Sequence, residues 1–276
     1  MRKGLLLTLI LWLAACSSEE PPEPGTRTTE AAAVAADTVP AQARIVLAAD
    51  PWCPHNCVAG ATPEGYMIDI ARAVFGAAGM TVDYQNISWA RSLQLAQYGK
   101  VDGVVGAFVG DAPAFVFPEE PAGYSRIDLF TRPDSLWRYA GTDSLADRVL
   151  VVLNGYSYSA ELDTYIRDHQ DENGRVWVLS GPSPLDRAIR LVLEGRADVL
   201  PEDRDVMRWT LANELPGLEL RVAGGLAEAP IYIAFSPANP RSREYARLLS
   251  DGIRELRASG RLARILDGYG VTWPAP

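Results

Sequence analysis

The chain has 276 residues and a formal net charge of −9, and 48% of its residues are hydrophobic. That apolar content suffices for a globular core, and the length allows one large or two small domains. The acidic balance suits solubility and argues against nucleic acid or another polyanion as partner.

At the N-terminus, Arg2 and Lys3 precede an apolar run from Leu5 to Ala15. A charged segment followed by an apolar one too short to span a bilayer has the form of a signal peptide. The run closes on Leu13-Ala14-Ala15-Cys16, which resembles the lipobox of bacterial lipoproteins. The resemblance implies cleavage before Cys16 and acylation of its thiol and new amino group, with residues 1–15 the signal peptide. An ordinary signal peptide cut nearby, leaving Cys16 a free thiol, is the alternative. Loss of Arg2 and Lys3 would leave the mature chain two charges more acidic. Either way the protein is expected to work outside the cytoplasm; the lipobox reading has it lipid-anchored on the periplasmic side of a Gram-negative-type envelope. Ser17, in place of the Asp associated with inner-membrane retention, favours the outer membrane. Residues 16–43 are rich in Ser, Glu, Pro, Ala and Thr and are expected to form a flexible tether.

From Arg44 the pattern becomes regular. Ile45–Ala49 is expected to be a buried strand, followed by a loop holding Cys53, His55 and Cys57. A close cysteine pair in an oxidising compartment favours a Cys53–Cys57 disulfide. Cys-x-His-x-Cys also raises a metal site, but the chain has only one other His and, with Cys16 the lipidation candidate, no further Cys to complete a tetrahedral structural zinc site, so the remaining ligands would have to be carboxylates. No metal or cofactor is expected. A helix is expected over 65–79, a strand over 80–84, a helix capped by Ser88 and stopped by Gly99, and a strand over 101–108. The second half repeats this order, with strands over 148–153, 175–179 and 197–200 and helices over 157–169, 183–194 and 204–215. A strand over 231–235 and helices over 242–258 and 261–266 complete the chain. The fold class is α/β, with two open sheets.

Three strings carry a family resemblance: Gly65-Tyr66-Met67-Ile68-Asp69-Ile70-Ala71; Gly195-Arg196-Ala197-Asp198-Val199-Leu200-Pro201-Glu202-Asp203; and Ile231–Pro237, with Ser259-Gly260-Arg261-Leu262-Ala263-Arg264 and Tyr269-Gly270 beyond it. Together they are similar to the bacterial extracellular solute-binding proteins of family 3, the polar amino acid-binding type. The resemblance implies a two-lobed, type II periplasmic-binding-protein-like fold whose lobes are joined by two crossovers and close on a small solute. It puts lobe 1 at 44–138 and 226–276 and lobe 2 at 139–225, with crossovers near Trp137–Tyr139 and Gly224–Ile231.

The candidate ligand residues are Trp52, Tyr66, Arg91, Gly106, Phe108, Tyr156, Ser157 and Asp203. Trp52 follows the first strand, where the family places an aromatic on the ligand; covering the loop's own core is its other role. Tyr66 opens the first helix beside Asp69, whose charge suits the helix dipole. Arg91 is a carboxylate clamp or a surface cation. Gly106 and Phe108 end the third strand at the sheet's carboxyl edge. Tyr156 and Ser157 join a strand to a helix, where Ser157 is a candidate N-cap and oxygen binder. Asp203 matches the family's Asp that accepts a ligand ammonium, with Glu202 beside it facing solvent. Members that bind α-amino acids carry a Thr-x-x-Arg-like segment after the third strand, whose Arg holds the α-carboxylate. Here Val109 to Pro118 contains no Arg, so ordinary amino acid binding is put in doubt.

The expected function is that of an extracytoplasmic, lipid-anchored and monomeric solute-binding protein. It closes on a small polar or amine-bearing solute, for an ABC permease or a membrane sensor. A dehydratase-like enzyme on the same scaffold is the alternative, with Asp203, Glu202 and His55 as its acid–base candidates.

Overall fold

The computed structural model describes residues 43–170 and 174–273. Cys16, the signal peptide and the tether up to residue 42 lie outside the described residues.

The first half builds β1 (Ala43–Ala49), α1 (Tyr66–Ala77), β2 (Met80–Asn86), α2 (Trp89–Gln97) and β3 (Gly103–Ala107). Two strands the sequence did not announce follow, β4 (Gly123–Ser125) and β5 (Ile127–Thr131). Next come β6 (Leu150–Leu153), α3 (Ala160–His169), β7 (Val176–Leu179), α4 (Pro184–Leu193), β8 (Leu200–Asp203) and α5 (Arg204–Trp209). A π-helical turn, Thr210–Glu214, replaces the last part of the helix expected up to Leu215. β9 (Arg221–Gly225), β10 (Ala229–Phe235), α6 (Ser242–Ala258) and α7 (Arg261–Asp267) complete the fold.

These strands form two α/β layers. The first sheet has the order β2-β1-β3-β10-β4, parallel between β1 and its neighbours and antiparallel at β10. In the second, β8-β5-β9 pair antiparallel and β6-β7 pair parallel. A parallel bridge at Leu150–Val199 joins the two parts. Each sheet is covered on both faces, which is why its strands read as continuous apolar runs. In β1, Ile45, Leu47 and Ala49 pack toward α1, α6 and α7, while Ala48 packs with Trp89 and Ala96 of α2. In the second sheet, Val152 packs with Leu162 of α3, and Val151 and Leu153 pack with Ile189 and Val192 of α4.

The chain passes from the first sheet to the second at Arg126, because Ser125 ends β4 and Ile127 begins β5. It does not cross at Trp137–Tyr139, as the family resemblance implied. The strand responsible escaped notice because a buried Asp128 interrupts its apolar pattern. Arg204 and Arg126 lie against that carboxylate, at 2.7 and 3.5 Å. The return runs through Leu226, Ala227 and Glu228, between β9 and β10.

Two expected helix caps differ. Ser88 precedes α2 but makes no side-chain capping bond. Ser159, not Ser157, caps α3, accepting from the Leu162 N–H at 3.1 Å.

Candidate functional site

The carboxyl ends of β1, β3, β6 and β8 converge, and the loops leaving them line a small cavity of about 30 Å³. In open α/β sheets, ligands sit at this edge. The first sheet contributes Asp50 and Trp52 after β1 and Gly106 and Phe108 at the end of β3. The second contributes Tyr156 and Ser157 after β6 and Glu202 from β8. Asn56, Trp89, Asp111 and Tyr158 also line it.

The loop after β1 is built around the Cys53–Cys57 disulfide, with Cα atoms 4.6 Å apart. That bond engages both thiols and leaves neither as a metal ligand. The loop lays the Trp52 indole over the His55 ring, with centroids 4.2 Å apart, so Trp52 both covers its own loop and walls the cavity. The indole meets the backbone of β3 at Gly106, which has φ +90°. A Cβ there would stand 3.3 Å from Trp52 Cε3. Gly106 also sits where the pairing with β10 shifts register, between Val105 and Ala107.

The polar groups are held with unusual completeness on one side and left open on the other. Trp52 Nε1 donates to Glu202 Oε1 at 3.0 Å, and the Asp203 N–H donates to the same oxygen at 2.7 Å. Asn56 Nδ2 donates to the Asp50 carbonyl at 2.7 Å and to Tyr84 Oη at 3.0 Å, which fixes which way its amide faces. Tyr156 Oη donates to Asp50 Oδ2 at 2.7 Å. The Phe108 N–H donates to Asp111 Oδ2 at 2.9 Å. Glu202 Oε2 and Asn56 Oδ1, by contrast, are buried and have no hydrogen-bond partner. Both residues are 1% exposed, so each orphaned acceptor carries a desolvation cost of about 1–3 kcal/mol.

None of the lining side chains is an Arg, Lys or His. Burial pushes the Glu202 carboxyl up to about 8, aided by the neighbouring Asp203 and Asp50 charges and opposed by hydrogen bonds from Trp52 and the Asp203 backbone. Burial likewise raises Asp50 to about 6 and Asp111 to about 6.

A family model for bacterial extracellular solute-binding proteins, family 3, matches residues 45–272. The chain belongs to this family. No curated protein matches the chain in sequence. Solved structures similar to this solute-binding protein include a histidine kinase sensor domain with similarity to periplasmic binding proteins, at TM-score 0.67 and 20% identity, covering 84% of this chain and 98% of that one. Another is the amino acid ABC transporter substrate-binding protein AbpA from Streptococcus pneumoniae, at TM-score 0.64 and 19% identity, covering 82% and 94%. A third is the ancestral amino acid-binding protein AncCDT-1, a precursor of cyclohexadienyl dehydratase, at TM-score 0.63 and 15% identity, covering 82% and 95%. At these identities the likeness is one of fold, the periplasmic-binding-protein-like α/β fold.

Five of the sequence-derived candidates in this family member meet at the cavity: Trp52, Gly106, Phe108, Tyr156 and Ser157. Ser157 does not act as a cap; its hydroxyl donates to Asp163. Three candidates lie elsewhere. Arg91 is on the exposed face of α2, bonded to Gln94. Tyr66 is fully buried behind the loop, against His55 Nδ1 at 2.6 Å. Asp203 caps α5: its Oδ1 accepts from His55 Nε2 at 3.0 Å and from the Asp205 and Val206 N–H groups, and its Oδ2 accepts from Ser125 Oγ at 2.7 Å and the Arg126 N–H. Burial alone would raise the Asp203 pKa, but the His55 imidazole and these hydrogen bonds outweigh it and hold the carboxyl below its ordinary value. Glu202, expected to face solvent, is the residue that points into the cavity. Asp69 sits in the first turn of α1 and accepts from Tyr269 Oη at 2.7 Å.

Sequence reasoning passed over Asp50, Asn56, Trp89, Asp111 and Tyr158. Asp111 is the most informative of these. It lies in the segment where α-amino acid-binding relatives were expected to carry an Arg, and it brings the opposite charge to the cavity.

Proposed function

We propose that the protein is a solute-binding lipoprotein that closes two lobes on a small polar, amine-bearing solute and carries out no chemistry on it. Residues 43–125 and 229–273 would form one lobe and residues 127–225 the other. Acylated Cys16 would hold the domain at the periplasmic face of the envelope, with outer-membrane placement favoured and residues 16–42 as tether, since Ala43 already belongs to β1. The observation that carries this reading is the cavity walled by both sheets and bridged directly by Trp52–Glu202 and Asp50–Tyr156. Such bridges form only when the two halves come together, as hinge closure requires. Binding without turnover is supported by His55, whose two ring nitrogens are already engaged by Tyr66 and Asp203 outside the cavity.

A monomer that hands its solute to an ABC-type permease or reports it to a membrane sensor fits this arrangement. Similar solved structures, an amino acid ABC transporter substrate-binding protein bound to L-arginine and a histidine kinase sensor domain, support both destinations. The test is to extract carried-over solute from the purified protein, identify it by mass spectrometry, and titrate it back while following chemistry by NMR. Saturable binding with the solute unchanged is expected. Conversion of the solute, or failure to bind any extracted compound, would defeat the reading. Lipid anchoring has its own check: Cys16→Ala should release the protein from the membrane fraction, and a variant still wholly membrane-bound would place the anchor elsewhere.

A further inference from the structure

We infer that the solute is a small organic cation with ammonium or guanidinium N–H groups and no carboxylate, held by Glu202 Oε2, Asn56 Oδ1 and the Asp50 and Asp111 carboxylates beside the Trp52 indole. This rests on the solute-binding reading above and narrows it.

The first argument is hydrogen-bond accounting. Glu202 Oε2 and Asn56 Oδ1 are buried acceptors without partners, and both belong to residues of one cavity. The Asn56 amide cannot turn to offer a donor instead, because its nitrogen is committed to the Asp50 carbonyl and to Tyr84 Oη. Nor can Glu202 rotate freely, since its other oxygen is held by Trp52 and the Asp203 N–H. Buried acceptors are satisfied by donors. Without a solute Glu202 holds a proton on Oε2, which a cation would displace, but Asn56 Oδ1 has no such recourse, so the occupant must bring N–H or O–H groups. The hydroxyls of Tyr156 and Ser157 are already directed to Asp50 and Asp163.

The second argument is charge. Three carboxyl groups line the cavity and no Arg, Lys or His does. A solute carboxylate would be a further anion among them without a charged partner, and such a group costs several kcal/mol when buried. A cation is favoured by the same three groups and by the face of an indole ring. A quaternary ammonium would satisfy the charge but not the two orphaned acceptors, because it has no N–H.

The test uses pairs of probes that differ only in the α-carboxylate: 1,5-diaminopentane against L-lysine, and 4-guanidinobutylamine against L-arginine. The permethylated bis-quaternary form of the diamine is the third arm. Calorimetry is run on purified protein freed of carried-over solute by partial unfolding and dialysis. At least one carboxylate-free amine should bind about 100-fold or more tightly than its amino acid, and at least about 10-fold more tightly than the quaternary analogue. Glu202→Gln keeps an oxygen for Trp52 and should weaken that amine about 100-fold; Asp111→Asn should weaken it about 10-fold. An amino acid binding as tightly as its decarboxylated partner would overturn the inference and leave solute binding standing. Equal binding of the quaternary analogue would overturn the role of the two acceptors. Failure of every probe while an extracted anionic or neutral solute binds would overturn the cation assignment alone, and failure of all compounds would remove the solute-binding reading with it.

Discussion

The indole N–H of Trp52 donates to Glu202 Oε1 at 3.0 Å, across 150 residues of sequence and from one sheet to the other. The bond holds one oxygen of the carboxyl group in place and leaves its twin, Oε2, facing the cavity without a partner. A buried carboxyl arranged in this way is poor for stability in the absence of a cation and well placed for binding one.

The stability consequence is testable through pH. Glu202 titrates near 8 when folded, against 4.5 ordinarily, so its contribution is fully present below about pH 4.5 and is lost as pH rises toward 8. The groups around it are Trp52, Asp50, Asp203, Tyr156 and Tyr158, and none is a cation that would compensate. Glu202→Gln should therefore be more stable than the parent above pH 7, by about 5 kcal/mol at pH 8.5. Urea unfolding of solute-free protein at pH 5 and 8.5 measures it. Curves that keep the same separation at both values would contradict it.

Asp203 should behave in the opposite sense. Its folded pKa lies below the ordinary value, so it stabilises the fold above about pH 4 and loses that effect as pH falls through its folded pKa. Asp203→Asn should lower the Tm at pH 7, through loss of a charged helix cap and of the bond to His55, and the deficit should shrink toward pH 3. A deficit that does not change with pH would show that charge is not the cause.

Gly106→Ala places a Cβ at φ +90° and 3.3 Å from the Trp52 ring. The cost should be about 2 kcal/mol in urea unfolding. Displacement of the indole should also weaken the bond to Glu202, so solute affinity should fall along with stability. An alanine variant with unchanged affinity would argue that Trp52 does not depend on the glycine.

Replacing Cys53 and Cys57 together by Ser opens a loop of four residues' separation. A loop this short contributes modestly to global stability, about 2 kcal/mol or less. The larger expected effect is on binding, because the loop that carries Trp52 and Asn56 loses its restraint. Calorimetry should show weaker binding with a greater entropic cost; binding identical to the parent would remove the disulfide from the site's design.

The sequence made the sheets legible where burial is symmetric. Ile45–Ala49 reads as a strand because both its faces are covered, and Gly79, Gly99 and Gly195 mark helix ends at left-handed positions, with φ of 73°, 66° and 70°. β5 was opaque because the burial of Asp128 depends on Arg204 and Arg126, distant in sequence or outside the strand. β4, with three residues, and β9, ending on two glycines, gave no periodicity to read. At the site, position after a strand was enough to find Trp52, Gly106, Phe108, Tyr156 and Ser157. The acids were not legible, since a carboxylate in a loop reads as solvated until tertiary packing encloses it. Glu202 and Asp203 are the sharpest case. Adjacent strand residues face opposite ways, and an Asp immediately before a helix is a capping signal. That signal could have assigned Asp203 to α5 and left Glu202 for the cavity.

The passage between sheets consists of a single residue, Arg126, on one side and of Leu226, Ala227 and Glu228 on the other. The Arg126 N–H is itself tied to Asp203, at the end of the strand that carries Glu202. Two half-sites on so short a connection never become independent. In the language of multivalent binding, each half sees the other at a high effective concentration. A solute that engages Asp50 and Asn56 therefore meets Glu202 as an intramolecular partner.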